Sequence, residues 1–434
     1  MCARKCEKHY AMRVVSFAAA ISLGLCASQP VQAQESQLDA LRAAARAAPR
    51  DPLAALALGT ALRRADRLPA ALAELRRGIA IAGLPETLRL LEWEVVRVEG
   101  DRHDFLQTMA SCKPLKASVD AHACAAFAHL VRQRATEALE ETAIALAKDP
   151  HSYEAKVAEG RAYELELDMA RAETSLREAI ADHGDRAEAH EVLGRVLLKE
   201  GRRDVAAGEL RQAIALDPAG PDALYELAGV IPPGDESVRL LEGATHERLT
   251  FMEAWLALGS QQLAAGRLGE AKKAAEAAVK IDSHSAGAYV LAGKVALAEG
   301  RTDDAIAAGQ NALANMANSA AAKLLVADGS ARKGEIDAAL EAYQAAWGLD
   351  HADPTPLVHA SEACHARGRD TTARAFGVRA TQEFPRWAPG WVALGDALAA
   401  QAEVAAARDA YRKALTLDGP VDIEAVKRKL GALH

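Results

Sequence analysis

The sequence predicts an all-α protein, an α-solenoid of stacked helix pairs, and three observations support this fold class. A small residue recurs at steps of 31 to 34 residues, with Trp93 as the one large exception, at Gly59, Trp93, Ala126, Gly160, Gly194, Ala228, Gly259, Gly293, Ala327, Ser361 and Gly395. Alanine follows most of these residues after twelve positions, and glycine follows many of them after seven. A period of this length that fills most of a chain indicates stacked helix pairs rather than one globular core.

The first 33 residues lie outside the period and predict a secretory signal peptide. Basic residues precede an apolar run from Val14 to Ala27, and Val31-Gln32-Ala33 places a small residue at the expected cleavage site. The apolar run is short for a membrane span. An uncleaved anchor, or a lipoprotein attached through Cys26, are the alternative interpretations. Translation from Met12 would leave an equally good leader.

Beyond the leader, we expect a capping helix in residues 34–51, eleven repeats in residues 52–420, and a second capping helix in residues 421–434. Stacked repeats need such ends because the outermost repeats otherwise expose an apolar face. The second repeat is irregular, since it carries Trp93 and Phe105 at small positions. The sixth repeat is short and broken at Ile231-Pro232-Pro233-Gly234.

Each recurring residue has a physical reason when the small residue is numbered position 8 of its repeat. Positions 8 and 20 fall where two antiparallel helices approach closely, so small side chains are needed there. Glycine at position 15 ends the first helix by taking the left-handed conformation at low cost; these glycines are Gly100, Gly201, Gly266, Gly300, Gly334 and Gly368. Proline near position 32 ends the second helix, as at Pro150, Pro218 and Pro385.

These residues resemble the tetratricopeptide repeat family. Trp255-Leu258-Gly259 and Trp391-Leu394-Gly395 match the family's opening pattern, and Tyr343 and Tyr411 match its aromatic position 24. The resemblance extends over about eleven repeats and implies a right-handed superhelix. It also implies that the first helix of each repeat lines a concave groove, through positions 2, 5, 9 and 12.

Three of the six cysteines lie in the leader, and two others predict a disulfide. Cys112 and Cys124 fall on adjacent antiparallel helices at similar distances from the turn between them, so a bond is sterically reasonable in an oxidising compartment. Cys364 lies at a core position and is expected to be a buried thiol. His359 and Cys364 do not share a helix face, so we predict no metal site there.

The sequence predicts no enzyme. It contains no metalloprotease, serine hydrolase or phosphate-loop motif. The leader and the repeats also account for the whole chain, which leaves no room for a catalytic domain. We therefore expect no catalytic residue, no cofactor and no metal.

The groove positions carry an ordered set of charges. Position 9 is basic in the middle of the chain and acidic toward its C-terminus, in the order Arg161, Arg195, Lys294, Asp328, Glu362 and Asp396. Position 5 is mostly apolar, which suits an amphipathic helix or an extended peptide. Two interpretations stay open, a polarised groove that orients a bound segment and a solvated surface whose charges are ordered by chance.

We therefore predict an exported, non-enzymatic scaffold or adaptor that binds a partner protein within a bacterial cell-envelope assembly, in the periplasm. Removal of residues 1–33 changes the formal net charge from −8 to −11, because the leader contains four Lys or Arg residues and one Glu. An acidic protein is a poor nucleic-acid binder. The alternatives are a periplasmic module of a polysaccharide secretion system and a helper in cytochrome or cofactor assembly. The first would need aromatic platforms along the groove, yet aromatic residues are only 4% of the chain.

Overall fold

A computed structural model describes residues 30–115, 118–417 and 419–433, with side chains from Gln34 onward. Most of the predicted signal peptide therefore lies outside the described residues, as do Cys2, Cys6, Cys26 and the last residue of the predicted C-terminal capping helix. The described residues form 24 α-helices and no β-strand, which confirms the predicted all-α, α-solenoid fold class.

The chain divides into two compact units, an N-terminal unit that ends at Ala254 and a C-terminal unit that begins at Trp255. The helices that begin in the N-terminal unit are α1 (Pro30–Ala47), α2 (Pro52–Arg64), α3 (Leu68–Ile81), α4 (Pro85–Asp101), α5 (Phe105–Ser111), α6 (Val119–Val131), α7 (Ala135–Lys148), α8 (Tyr153–Leu165), α9 (Met169–Asp182), α10 (Ala187–Lys199), α11 (Arg203–Leu216), α12 (Pro221–Val230), α13 (Asp235–Glu247) and α14 (Met252–Ala264).

The C-terminal unit contains most of α14 and continues with α15 (Leu268–Ile281), α16 (Ala286–Ala298), α17 (Thr302–Asn315), α18 (Ala320–Lys333), α19 (Ile336–Leu349), α20 (Thr355–His365), α21 (Asp370–Glu383), α22 (Ala388–Ala400), α23 (Val404–Ala414) and α24 (Ile423–Gly431). Within each unit, a first helix packs on the second helix of its own repeat and on the first helix of the next repeat.

The small residue at position 8 sits where the two helices of a repeat touch. A Cβ atom added at Gly59 would lie 2.5 Å from Leu75 in the second helix, and one added at Gly160 would lie 2.6 Å from Leu176. Gly395 meets Tyr411 in the same way, at 2.5 Å. Packing at this density leaves no space for a methyl group, which explains why the period is visible in the sequence.

The turns between paired helices differ between the two units. In the C-terminal unit, the left-handed turn residue is glycine in four of five repeats, at Gly266, Gly300, Gly334 and Gly368, and alanine in the fifth, at Ala402. In the N-terminal unit, non-glycine residues take this conformation at Asp66, His103, Gln133 and Leu167, with Gly201 as the glycine among them. A left-handed backbone is unfavourable for residues that carry a Cβ atom.

The prediction for Gly100 was wrong. Helix α4 continues through this residue to Asp101, and His103, with φ of 54°, ends the helix in the left-handed conformation instead. Gly100 is buried, and an added Cβ atom would lie 2.6 Å from the ring of Phe127. Its glycine is needed for a close contact between helices and not for a turn.

The irregular second repeat is joined to the third by a disulfide between Cys112 and Cys124, whose Cα atoms are 5.6 Å apart. Helix α5 is only 7 residues long and is followed by a 3₁₀ turn at Lys113–Leu115. Cys112 caps the end of α5, and Cys124 is fully buried in α6. The disulfide therefore holds the shortest helix of the N-terminal unit against a core helix.

Candidate functional site

The two arginines predicted to line the groove in the N-terminal unit both lie on first helices, and both have carboxylate partners. Arg195 on α10 donates from Nε and Nη2 to the two carboxylate oxygens of Glu164, at 2.7 and 2.9 Å. Glu164 is 5% exposed and also pairs with Lys199 at 2.8 Å. Arg161 on α8 lies 3.8 Å from Glu188, and its guanidinium stacks over Phe127. This stretch is therefore not a free positive surface.

A chain of ion pairs crosses the inner side of the N-terminal unit. Arg97 on α4 donates to Glu188 on α10 at 3.0 Å, although the two residues are 91 positions apart in the sequence. Glu94, only 5% exposed, accepts from Arg63 at 2.7 Å and from Arg97 at 3.4 Å. Because α4 and α10 belong to the second and fifth repeats, this contact requires the first helices to face one another across a tight curve.

Two cavities lie along the first helices of the N-terminal unit. Between Trp93, Phe127, Val157 and the paired charges lies a cavity of about 20 Å³, which is room for about one water molecule. A second cavity, of about 290 Å³, is lined by Arg89 and Glu154 among others. The ion pairs therefore leave little space at the first cavity, and a larger space remains at the second.

These contacts shift the acidity of the buried carboxylates in opposite directions. Burial alone would raise the pKa of Glu94, but the charges of Arg63 and Arg97 outweigh it and lower the pKa to about 2. Burial and the nearby Asp222 raise the pKa of Glu191 to about 7, against the opposite effect of Arg195. Burial also raises the pKa of Glu226. The inner face thus contains carboxylates that are well paired and others that are not.

In the C-terminal unit, the predicted residues form an acidic row along consecutive first helices. Asp328 on α18 accepts hydrogen bonds from the Tyr343 hydroxyl and from Nδ1 of His359, both at 2.8 Å. Asp396 on α22 accepts from the Tyr411 hydroxyl at 2.7 Å and lies 2.7 Å from the Lys429 ammonium. Glu362 on α20 lies between them in the chain and is exposed, as is Lys294 on α16.

The charges in this row influence one another. Burial alone would lower the pKa of His359, but its hydrogen bond to Asp328 and the charge of that carboxylate raise it above its usual value. Partial loss of water raises the pKa of Glu362, although the side chain is exposed, and the carboxylates of Asp396 and Asp328 add to the effect. A cation placed beside Glu362 would relieve this repulsion.

An apolar strip runs beside the acidic row. Position 5 of the C-terminal repeats is half-buried at Leu256, Leu324 and Val392 and buried at Val290 and Val358. The described side chains between residues 286 and 433 form ion pairs and hydrogen bonds across at most 35 positions, so these contacts join only neighbouring repeats. The C-terminal unit therefore presents a partly exposed apolar strip beside an acidic row, in which Glu362 is exposed while Asp328 and Asp396 are half-buried and bonded within the unit. We call this surface the acidic face.

Reasoning from the sequence placed all six charged residues on first helices but missed the partners that decide their effect. Glu94 is itself a position 9 residue, whereas Glu164 and Glu188 occupy positions 12 and 2, which the family resemblance also assigns to the groove. The two glutamates that neutralise Arg195 and Arg161 cannot be found from position 9 alone. Reading all four groove positions together would have found them.

The remaining candidates for chemistry are buried or paired in the part of the chain that the structure describes. Cys364 is fully buried, and burial raises the pKa of its thiol. Nδ1 of His365 forms a hydrogen bond with Asp370 at 2.7 Å, and Nδ1 of His359 forms one with Asp328. No group of three or more metal-ligating side chains comes together among the described residues. None of the described helices is both long enough and apolar enough to cross a membrane.

Comparisons with known proteins agree with the repeat pattern. One model of the tetratricopeptide repeat matches residues 167–221, 191–230 and 256–320, and a second model of this repeat matches residues 388–420. The chain therefore carries tetratricopeptide repeats in both units. No curated protein matches the chain.

Solved structures similar to this chain include three crystal structures. Yeast Tom70 is 13% identical, with 88% of this chain and 94% of that chain covered and a TM-score of 0.46. The APC/C hetero-tetramer Cut9-Hcn1 is 16% identical, with 85% and 88% covered and a TM-score of 0.40. MamA is 22% identical, with 36% of this chain and 94% of that chain covered and a TM-score of 0.33.

Proposed function

We propose that this tetratricopeptide repeat protein is a non-enzymatic scaffold whose acidic face binds a cationic, amphipathic segment of a partner protein. The observation that carries the proposal is the combination of the acidic row, with Glu362 exposed, and the partly exposed apolar strip in the C-terminal unit. An amphipathic helix places apolar residues on one side and charges on the other, and it matches both features at once. In the N-terminal unit, the groove arginines Arg161 and Arg195 are already paired with Glu188 and Glu164.

The protein itself shows how a basic side chain is accommodated on the acidic row. Lys429 projects from the short basic helix α24 and places its ammonium 2.7 and 2.8 Å from the two carboxylate oxygens of Asp396. Glu362 is exposed and lies one repeat earlier. A lysine or arginine of a partner would pair with Glu362 in the same manner, and burial of the apolar strip would supply the non-directional part of the affinity.

The order of charges along the face favours one direction of binding. Lys294 precedes Asp328, Glu362 and Asp396 along the stack. A bound segment gains most when its basic residues lie near Glu362 and any acidic residue lies near Lys294. The reverse direction brings like charges together, which is unfavourable.

A binding titration tests this function. The probe is a synthetic helical peptide with leucine on one face and lysine on the other, and its counterpart carries glutamate in place of lysine. We expect the lysine peptide to bind the full chain, and the triple variant Asp328→Lys, Glu362→Lys and Asp396→Lys to weaken its binding by at least about tenfold, or about 1.4 kcal/mol. The reversed charges repel the peptide.

The matched control places the same three charge changes on second helices, as Glu341→Lys, Glu383→Lys and Asp409→Lys. All three residues are exposed, and the control has the same net charge as the triple variant. We expect it to retain most of the binding. Equal loss in both variants would reduce the effect to overall charge, and equal binding of the lysine and glutamate peptides would overturn the proposal.

We further propose that the protein works after export, in the periplasm of a bacterial cell envelope. The basic and apolar leader supports this location, and so does the disulfide between Cys112 and Cys124, because disulfides persist in oxidising compartments. Cell fractionation followed by N-terminal sequencing tests it. We expect a periplasmic protein that begins at Gln34, and a cytoplasmic protein that retains its leader would contradict the proposal.

A further inference from the structure

Helix α1 touches two parts of the N-terminal unit that lie far apart in the sequence. Along its length it packs on the first repeat, where Leu38 (1% exposed) and Ala45 join a buried cluster with Leu58, Leu62 and Leu75. At its beginning it also contacts α13, the second helix of the sixth repeat. The helix therefore connects the first and sixth repeats of the unit.

The contact with α13 is made by Gln34, which is 3% exposed. Its side-chain amide donates to the main-chain carbonyl oxygens of His246 and Glu247, each at 2.9 Å and more than 200 positions away. These residues end α13, and the last carbonyls of a helix have no partner within it. Gln34 thus supplies hydrogen bonds that the end of α13 lacks.

Two further ion pairs support this arrangement, one between the first and fifth repeats and one between α1 and the first repeat. Arg64 at the end of α2 pairs with Asp217, which follows α11 in the fifth repeat. Glu35 of α1 pairs with Arg67, which lies between the two helices of the first repeat. Together with Gln34, these contacts hold the first repeat near the fifth and sixth, and the pair between Arg97 and Glu188 lies in the arc between them.

We propose that α1 is a clasp that keeps the inner face of the N-terminal unit closed, and that its release opens this face. The contacts of α1 with α13 are few and polar, so this end of the clasp can detach while Leu38 and Ala45 stay packed in the core of the first repeat. When the first and sixth repeats separate, α4 and α10 move apart, and the contact between Arg97 and Glu188 across the inner side is lost.

Hydrogen exchange of the full chain, followed by mass spectrometry, tests the clasp. The variant Gln34→Ala removes both hydrogen bonds to α13, and Gln37→Ala is the matched control, since it makes the same change on the same helix. We expect Gln34→Ala to speed exchange in α1 and at the end of α13 by about tenfold, because two hydrogen bonds are lost. The control is expected to exchange like the unaltered protein, and equal exchange in the two variants would overturn the clasp.

The same data show whether the clasp controls the inner face. If it does, Gln34→Ala also speeds exchange in α4 and α10, which carry Arg97 and Glu188, while α16 to α22 stay unchanged. If α1 loosens but α4 and α10 exchange at their former rates, α1 is a passive end cap and the proposal fails. The variant Arg64→Gln, which removes the pair with Asp217, provides an independent second route to the same opening.

Discussion

The two units of this protein use similar first helices to opposite effect. In the N-terminal unit, charged residues on these helices pair with one another across a tight curve, and Arg97 reaches Glu188 three repeats away. In the C-terminal unit, the charges between residues 286 and 433 pair only with neighbouring repeats and leave Glu362 exposed. The difference shows that the charge at one repeat position does not define a binding surface. The partners of that charge define it.

Removal of a carboxylate from the first helices is expected to give the largest difference between the two units in the free energy of unfolding. Glu94→Gln leaves the guanidinium groups of Arg63 and Arg97 without their shared partner on the inner side of the N-terminal unit. We expect this variant to lower the free energy of unfolding of the unit by about 3–5 kcal/mol. Glu362→Gln, the corresponding change on the exposed acidic face, is expected to change it by less than about 0.5 kcal/mol.

Hydrogen exchange in urea distinguishes these outcomes, because it reports each unit separately. Equal destabilisation of the two units by their respective variants would show that both carboxylate rows are structural. The two units would then not differ in the role of their carboxylates.

The pH dependence of the N-terminal unit offers a second contrast. The pKa of Glu191 is about 7 in the folded protein, above its ordinary value of 4.5, so the folded state binds the extra proton. Stability should therefore fall as pH rises from about 4.5 to about 7. Glu191→Gln removes this loss, and we expect the variant to be more stable than the unaltered protein at pH 8, by up to about 2 kcal/mol.

Urea unfolding at pH 4.5 and at pH 8 measures this effect. At the lower pH the two proteins should be equally stable, because Glu191 is then protonated in the folded state. A constant difference at both values of pH would mean that the substitution acts through packing and not through titration.

The turns between paired helices offer a third contrast of about 1 kcal/mol. Leu167 is 75% exposed and has φ of 60°, so Leu167→Gly should relieve strain and stabilise the N-terminal unit by about 0.5 kcal/mol after the entropic cost of glycine. Gly300 has φ of 78° and open space around it. Gly300→Ala should therefore destabilise the C-terminal unit by about 1 kcal/mol. Thermal unfolding of the two variants checks the opposite signs.

The smallest expected effect concerns the pair of His359 and Asp328. Because the pKa of His359 is raised in the folded protein, the stabilisation is present below pH 6.5 and is lost as pH rises through the folded value. Asp328→Asn should lower stability by about 0.5 kcal/mol at pH 5.5 and have little effect at pH 9, since the pair is partly exposed. Titration of the His359 ring by NMR should show a lower pKa in the variant, and an unchanged pKa would contradict the assignment.

Much of the fold could be predicted because the same close contacts between helices recur in each repeat and require the same residue types. Gly59 meets Leu75 and Gly395 meets Tyr411 by the same contact in distant repeats, and this contact is what makes the period visible. At Gly100 the repeat pattern predicts the wrong role. Gly100 matches the pattern for a turn, but its close contact with Phe127 of the next repeat is the reason for the glycine. A contact between repeats cannot be predicted from the residue type at a single position.

The candidate site could be predicted only in part, for a related reason. The sequence placed Arg195 and Asp328 on first helices, but Glu164 and His359 determine what those charges do, and both lie about one repeat away. The contacts of Gln34 with His246 and Glu247 could not be predicted at all, because they depend on the curvature that many repeats accumulate.

Hydrogen exchange of the full chain, with and without the lysine-bearing helical peptide, shows which unit binds the segment. We predict that bound peptide slows exchange in α18, α20 and α22, which carry the acidic face, and leaves α8 and α10 unchanged. Slowed exchange in α8 and α10, without an effect on the helices of the acidic face, would show that the N-terminal unit binds the segment and would contradict the account.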